Sequence, residues 1–391
     1  VLAVGTDAEM EAFIGSGTQV IDLEGQLAVP GFIDSHVHFS GIGTAQLQLK
    51  LMDVANWDEV VEMVAAAAAA AEPGEVISGR GWHQEKWDRI PEPNVDGLPF
   101  HETLDAVSPN NPVLLRHASG HATYANGKAM EMAGIDRDTP DPPGGEIVGE
   151  GDGNPMGVFR EYASRLLEPA RANAKEVDPR DVMALADKEV LSKGITSVHD
   201  AGVGFETIDL YKEMIDDGDL GVRMNAMIRL PNDELRARFP DYKTDNYGDH
   251  NLRVSTIKIS IDGALGPHGA WLLEPYEDLP TSSGLNTAPV PDVEGAAQIA
   301  AEYGLQLAVH AIGDRANQES LNIMEATFDE FGGVTERRWR IEHSQHLHPD
   351  DIPRFAELGV IPSMQGIHCT SDAPYVLERL GEERAEEGAY V

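Results

Sequence analysis

Two histidines two residues apart, His36 and His38, close the segment Leu27-Ala28-Val29-Pro30-Gly31-Phe32-Ile33-Asp34-Ser35-His36-Val37-His38. The run before them is apolar and β-prone, and the Pro-Gly pair lets the chain enter a strand at an angle. Residues i and i+2 of a strand share a face, so both imidazoles converge at the strand's end, as two ligands of one metal must. Imidazole is the commonest protein ligand for borderline divalent metals. An H-x-H pair alone is weak evidence and needs partners elsewhere in the chain.

Three residues offer themselves. In Thr256-Ile257-Lys258-Ile259-Ser260-Ile261-Asp262 the isoleucines share one face, while Thr256, Lys258, Ser260 and Asp262 share the other. A buried ammonium is costly unless paired or chemically changed. Lys258 is therefore either ion-paired, with Asp262 or a neighbouring carboxylate, or carbamylated into an anionic metal ligand; the residues leave both open. His310 ends the strand-like run Leu305 to His310, and His343 ends Arg340-Ile341-Glu342-His343. A lone histidine at such a place is more often a hydrogen-bonded core residue. Four histidines and a lysine on successive strand ends weigh the other way.

The elements that must position these groups follow from the alternation after Ile195. Short β-branched runs (195–199, 224–228, 256–261, 305–310, 340–343 and 360–364) alternate with helical stretches, which indicates a parallel α/β sheet or barrel. With the His36/His38 strand they make seven, whereas a closed (β/α)8 barrel needs eight. The fold expected is thus an α/β, TIM-like barrel of residues 31–391, its eighth strand missing. Residues 1–30, with a hairpin signal at Glu24-Gly25 and a helical turn over Asp7 to Ile14, are expected to form a small β-unit. Residues at about 40–190 form an insertion: a helix over Trp57 to Ala71, strand-like runs 76–80 and 112–116, and a Pro/Gly/Asp-rich loop from Asp136 to Gly157.

Composition narrows the class. Sixty-seven acidic residues stand against 29 basic ones, a net charge of −38, and the acid is dispersed over the whole chain. Such a surface keeps a protein hydrated when salt screens repulsion, and we expect a halophilic surface. It argues against nucleic acid and anionic membrane as partners; a small-molecule substrate is expected, and a homo-oligomer is compatible with it. No run is long and apolar enough to span a membrane. The single cysteine, Cys369, fits a reducing cytosol, so a cytoplasmic location is expected. The start Val1-Leu2-Ala3-Val4-Gly5 lacks both a methionine and a basic leader, and reads as the inside of a longer frame.

The order His-x-His, Lys258, His310, His343, within Pro30-Gly31-Phe32-Ile33-Asp34, Ile257-Lys258-Ile259-Ser260-Ile261-Asp262-Gly263, Val309-His310-Ala311-Ile312-Gly313-Asp314, Ile341-Glu342-His343-Ser344 and Gly79-Arg80-Gly81-Trp82, resembles the amidohydrolase superfamily. The resembling branch contains N-substituted formamide deformylase and exoenzyme-regulator-like metal-dependent hydrolases. The resemblance spans essentially the whole chain, and it implies that the β-unit of residues 1–30 is a partial β-sandwich. It implies that His36, His38, Lys258, His310 and His343 hold one or two divalent ions, zinc first, with Lys258 carboxylated and catalytic if two are bound. It further implies hydrolysis of an amide-like C–N bond of an N-acyl or N-formyl amine through a metal-activated water. A non-catalytic regulatory or binding protein retaining the shell is the alternative. Deamination of a cyclic amidine is disfavoured, because Val309 to Asp314 lacks the glutamate pattern of that chemistry. The resemblance also implies an aspartate on the eighth strand. Asp372 lies too close to the seventh for that and is expected in the loop after it. Trp82 and His121 are candidates to line the substrate pocket, with ordinary packing or a surface loop the alternative; Arg315 is a candidate to clamp a substrate carboxylate or else pairs with Asp314; His199 is expected behind the ligands, and His346, His348 and His368 are given no role.

Overall fold

The computed structural model describes residues 1–95, 97–118, 122–142, 145–149, 153–266, 268–332 and 337–390. Seven parallel strands run in chain order around a barrel: β1 (Phe32–Val37), β2 (Ile195–Val203), β3 (Arg223–Ile228), β4 (Leu252–Ser260), β5 (Gln306–Ala311), β6 (Arg340–His343) and β7 (Ile361–Ser363). A short strand, Thr244–Asn246, joins β4 antiparallel. Among the described residues no ladder links β7 to β1, and Phe32, Ile33 and Ile361 are exposed along that edge.

Period-2 patterning holds where it matters. Ile257 and Ile261 are buried beneath the outer helices, whereas Lys258 pairs in register with Ala308 of β5 on the inner face. Helices cover the sheet through apolar stripes at three- and four-residue spacing, as in Phe205, Ile208, Tyr211 and Met214 of the helix Phe205–Asp217.

Between β1 and β2 the chain builds a second sheet, ordered Leu49–Lys50, Ile77–Trp82, Val113–His117, Ala122–Ala125, Pro155–Glu161, Gly145–Gly149. The helix Trp57–Ala70 packs on it, its N-terminus capped by Asn56 accepting from Glu59 N–H at 3.2 Å. The Asp136 to Gly157 stretch, expected as a loop long enough for a lid or a flexible hairpin, contributes to two of these strands, paired antiparallel. Its turn-rich composition hides them because the sheet supplies the pairing, with Val148, Met156 and Val158 buried against it.

The expected sandwich over residues 1–30 needs correction. The helical turn forms at Asp7–Met10 and Glu24-Gly25 turns with positive φ, but no strand lies in residues 1–31 and nearly all are exposed. A hairpin with no sheet or helix against its apolar side is marginal in water. Among the described residues nothing packs there.

Candidate metal centre

The strand ends carry the predicted residues to one mouth of the barrel. His36 and His38 stand at the end of β1, with ring centroids 5.6 Å apart and edge on. The His343 ring lies 4.7 Å from His36 and 4.4 Å from His310. His343 and Ser344 both adopt positive φ, 78° and 42°. Such backbone in residues bearing side chains costs of order 1–3 kcal/mol and collects at functional sites. Among the described residues no three His, Cys, Asp or Glu side chains form a closed ligand cage; the imidazoles pack against one another instead.

Lys258 and Glu342 lie below the rings. Glu342 is fully buried and meets His36 Nδ1 at 2.6 Å, Ser363 Oγ–H at 2.9 Å and the Arg340 guanidinium. Burial pushes its carboxyl up, but His36, Arg340 and Lys258 outweigh this and hold it well below the usual range. An ionised carboxylate only accepts, so His36 donates to it through Nδ1, which leaves Nε2 as the nitrogen that could ligate. Gln365 does the same for His343: its amide N–H donates to Ser363 O at 2.7 Å, which turns Oε1 onto His343 Nδ1 at 2.5 Å. Orienting partners of this kind are what metal-ligating histidines use.

His310 carries an orphan. Its Nε2 is buried with no hydrogen-bond partner, 3.5 Å from Asp262 Oδ1, while the ring also bonds the Gly263 backbone. Burial lowers His310 to about 3 and His38 to about 4, and lowers His343 strongly. These imidazoles are therefore neutral at pH 7, the form that ligates metals. Burial also brings Lys258 down to about 8, against the pull of Glu342. Its opposing charge is thus Glu342, not Asp262. Three neutral imidazoles, a fourth oriented by a carboxylate and a buried orphan nitrogen fit a divalent ion.

Asp262 has another task. Buried, it accepts N–H bonds from Trp271 (3.0 Å), Ile312 (3.0 Å) and Gly313 (2.8 Å), fastening the 262–289 excursion to the end of β5. Burial raises it to about 7 in spite of those donors. Asp314 reinforces the joint by accepting from Leu273 N–H at 2.8 Å. Gly313 is required there, since a Cβ would fall 2.0 Å from Trp271 O. Within β2, buried Asp200 takes Phe39 N–H at 3.1 Å and Tyr211 O–H at 2.6 Å, which fixes the backbone next to His38.

The remaining expectations fare unevenly. Trp82 is 1% exposed in the insertion's core, and its indole N–H donates to Leu115 O at 2.8 Å. Arg315 pairs with Glu319 at 2.8 Å and lies over Trp271, instead of pairing with Asp314. His121 lies outside the described residues. His199, expected behind the ligands, is half-buried in the middle of β2, lines the cavity at the barrel's other end and lies 3.0 Å from an Arg340 Nη. Asp372 follows the short helix Ile367–Ser371 after β7, buried and bonded to Gln345, Ser371, Tyr375 and Tyr390. His368, given no role, brings its ring within 5.4 Å of His343. Sequence reasoning missed Glu342, Gln365 and Asp200. The available signal was Arg340 and Glu342 alternating onto the inner face of β6, two charges that a barrel interior admits only as partners.

A parallel barrel with its polar groups gathered at the C-terminal strand ends belongs to the class of barrels built for chemistry at that mouth. The Amidohydrolase family model matches residues 19–390, and the chain belongs to that family. It is 34% identical to Protein LONG AFTER FAR-RED 3 of Arabidopsis thaliana over 100% of this chain and 67% of that protein. It is 30% identical to N-substituted formamide deformylase of Arthrobacter pascens over 91% of this chain and 66% of the other. The chain thus spans about two thirds of the length of these relatives. Among solved structures, an uncharacterized metal-dependent hydrolase from Pyrococcus furiosus superposes with a TM-score of 0.69 at 28% identity, covering 97% of this chain and 73% of that one.

Proposed function

We propose that the protein is a metal-dependent hydrolase of an amide-like C–N bond, acting on an N-acyl or N-formyl amine. The observation that carries this is the packing of His36, His310 and His343 at one barrel mouth above Lys258, with the His310 Nε2 buried and unpartnered. His36, His38, His310 and His343 would hold a divalent ion, zinc suiting imidazole best; a second would call on Lys258 as a carboxylated bridge. The bound ion supplies Lewis acidity and lowers the pKa of a coordinated water. The chain's own contribution is orientation. Glu342 fixes the tautomer and plane of His36, Gln365 those of His343, and Asp262 fixes the loop that meets His310. The choice of a C–N bond rests on the family and on the named activity of the Arthrobacter relative, a formamide deformylase.

The test is amine release from a panel of N-formyl and N-acyl amines by protein reconstituted with zinc, manganese or nickel. Release that chelation stops and metal restores is the expected result. Tight metal binding with no turnover across the panel would favour the alternative, a regulatory or binding protein that keeps the amidohydrolase shell.

A further inference from the structure

The opposite mouth of the barrel carries a different chemistry. A cavity of about 760 Å³ opens there, lined by the first residues of the strands: Gln306 of β5, Arg340 of β6 and Ile361 of β7. Around it stand Lys243, Arg253, Arg337, Arg338 and Arg340, and among the described residues the only carboxylate in the lining is Asp245. Five cations to one acid is the reverse of the chain's 29 to 67. A concentration of this kind, in a protein that spreads acid elsewhere, marks a place where positive potential is wanted.

Among the described residues three of the five cations, Lys243, Arg337 and Arg338, pair with no carboxylate, while Arg340 pairs with Glu342 and Arg253 with Asp245. Arg337 spends its donors on the backbone carbonyls of Gly332, Ala301 and Phe331, and Lys243 donates to Tyr303 O at 2.9 Å, so neither meets a carboxylate. Arg253 donates to Ser255 Oγ at 2.6 Å and shares the lone Asp245 at 3.3 Å. Among the described residues Arg338 has no side-chain partner. Its backbone sits at φ 52° and its carbonyl is pinned by the Gln306 amide, a strained placement that keeps the side chain at the cavity. Arg340 is 5% exposed, and its Nε is buried with no hydrogen-bond partner although its two Nη groups are engaged. A buried guanidinium N–H left unmade beside a cavity costs desolvation that a bound acceptor would recover.

We propose that this N-terminal mouth is a binding site for a small polyanion, a molecule carrying two or more phosphate or carboxylate groups, separate from the imidazole mouth. Guanidinium forks suit such oxyanions through paired, charge-assisted hydrogen bonds, and the volume falls within the range of small-molecule sites. Arg338 and Arg253 are the expected principal contacts, Arg340 Nε the deepest donor, and Gln306 and Ser255 the neutral polar rim.

Isothermal titration calorimetry with pyrophosphate and with citrate, at ionic strength matched by sodium chloride, tests the assignment and separates the two anion classes. The full chain should bind at least one probe saturably, one per chain. Arg338→Gln and Arg253→Gln should each weaken that binding about tenfold or more, with metal content unchanged. Lys243→Gln, on a separate segment, serves as a further variant should either of the first two fail to fold, folding being judged by circular dichroism. No saturable heat with either probe, or equal affinity in the folded variants, overturns the proposal.

Discussion

The two mouths of one barrel are built from the same strands and hold opposite chemistry. At the C-terminal ends, imidazoles held neutral by burial stand over a buried carboxylate. At the N-terminal ends, guanidinium and ammonium groups surround an open cavity. Strand β6 spans both within four residues: Arg340 faces the cationic cavity, Glu342 holds His36, and His343 joins the imidazole cluster. Arg340 and Glu342 are paired to each other, so the charges that distinguish the mouths meet in the interior. Net charge therefore predicts little about a local site. A chain at −38 places its cations where strand starts gather them and neutral ligands where strand ends do.

Breaking the C-terminal mouth should give the largest effects. Lys258→Ala is expected to cut metal-dependent turnover by more than the roughly 10–100-fold lost with an orienting partner. Lys258→Arg should not restore it, because a guanidinium cannot form a carbamate. Steady-state kinetics with a panel substrate decides this, and near-normal rates in Lys258→Ala would reduce the lysine to an ion-pair partner of Glu342. Removing Glu342 attacks the junction between the mouths. Glu342→Ala leaves Arg340 and Lys258 without their buried counter-charge and should cost about 3–5 kcal/mol in denaturant melts. Glu342→Gln, which keeps a hydrogen-bond partner for His36, should be milder for stability yet weaken metal binding.

How far these features could be read from sequence depends on the range of the interaction. The His36/His38, Lys258, His310 and His343 pattern was legible because period-2 alternation places a residue on a strand face without knowledge of its partners. The seven barrel strands were legible for the same reason, with ends shifted by a few residues. Glu342 was not: its meaning comes from His36, 306 residues away in the chain. Asp262 was one of the candidate partners for Lys258, beside a neighbouring carboxylate, but it serves backbone N–H groups on two distant loops, a use that no side-chain pattern announces. Residues 1–30 looked strand-like because β-propensity is a preference for a sheet that must exist to be joined. For Trp82, a pocket position and ordinary packing were both open, and the insertion holds a core of its own to bury it in.

Smaller perturbations sharpen the same comparison. Gly313→Ala forces a Cβ against the Trp271 carbonyl and should cost about 1–3 kcal/mol in thermal or denaturant melts. Gly366→Ala, with open space around it at φ −58°, should be nearly neutral. Equal stability of the two variants would contradict the close approach at the end of β5. At the other mouth, burial and Arg340 hold His199 down to about 4. An unfolded histidine titrates near 6.5, so the unfolded chain binds the proton first on acidification. Stability tied to His199 is fully present above about pH 6.5 and is lost progressively as pH falls toward 4. His199→Gln should flatten the acid side of the stability profile, and an unchanged slope would remove His199 from that account.

The most direct measurement is metal stoichiometry. The protein would be stripped with chelator, reconstituted with zinc, desalted and assayed for metal per chain by mass spectrometry. Wild type should retain one or two ions per chain. The His310→Ala/His343→Ala double variant should lose them, whereas His83→Ala, in the insertion, should retain them. Zinc content near zero in wild type, or equal in wild type and the folded double variant, would contradict the assignment of the imidazole mouth as a metal centre.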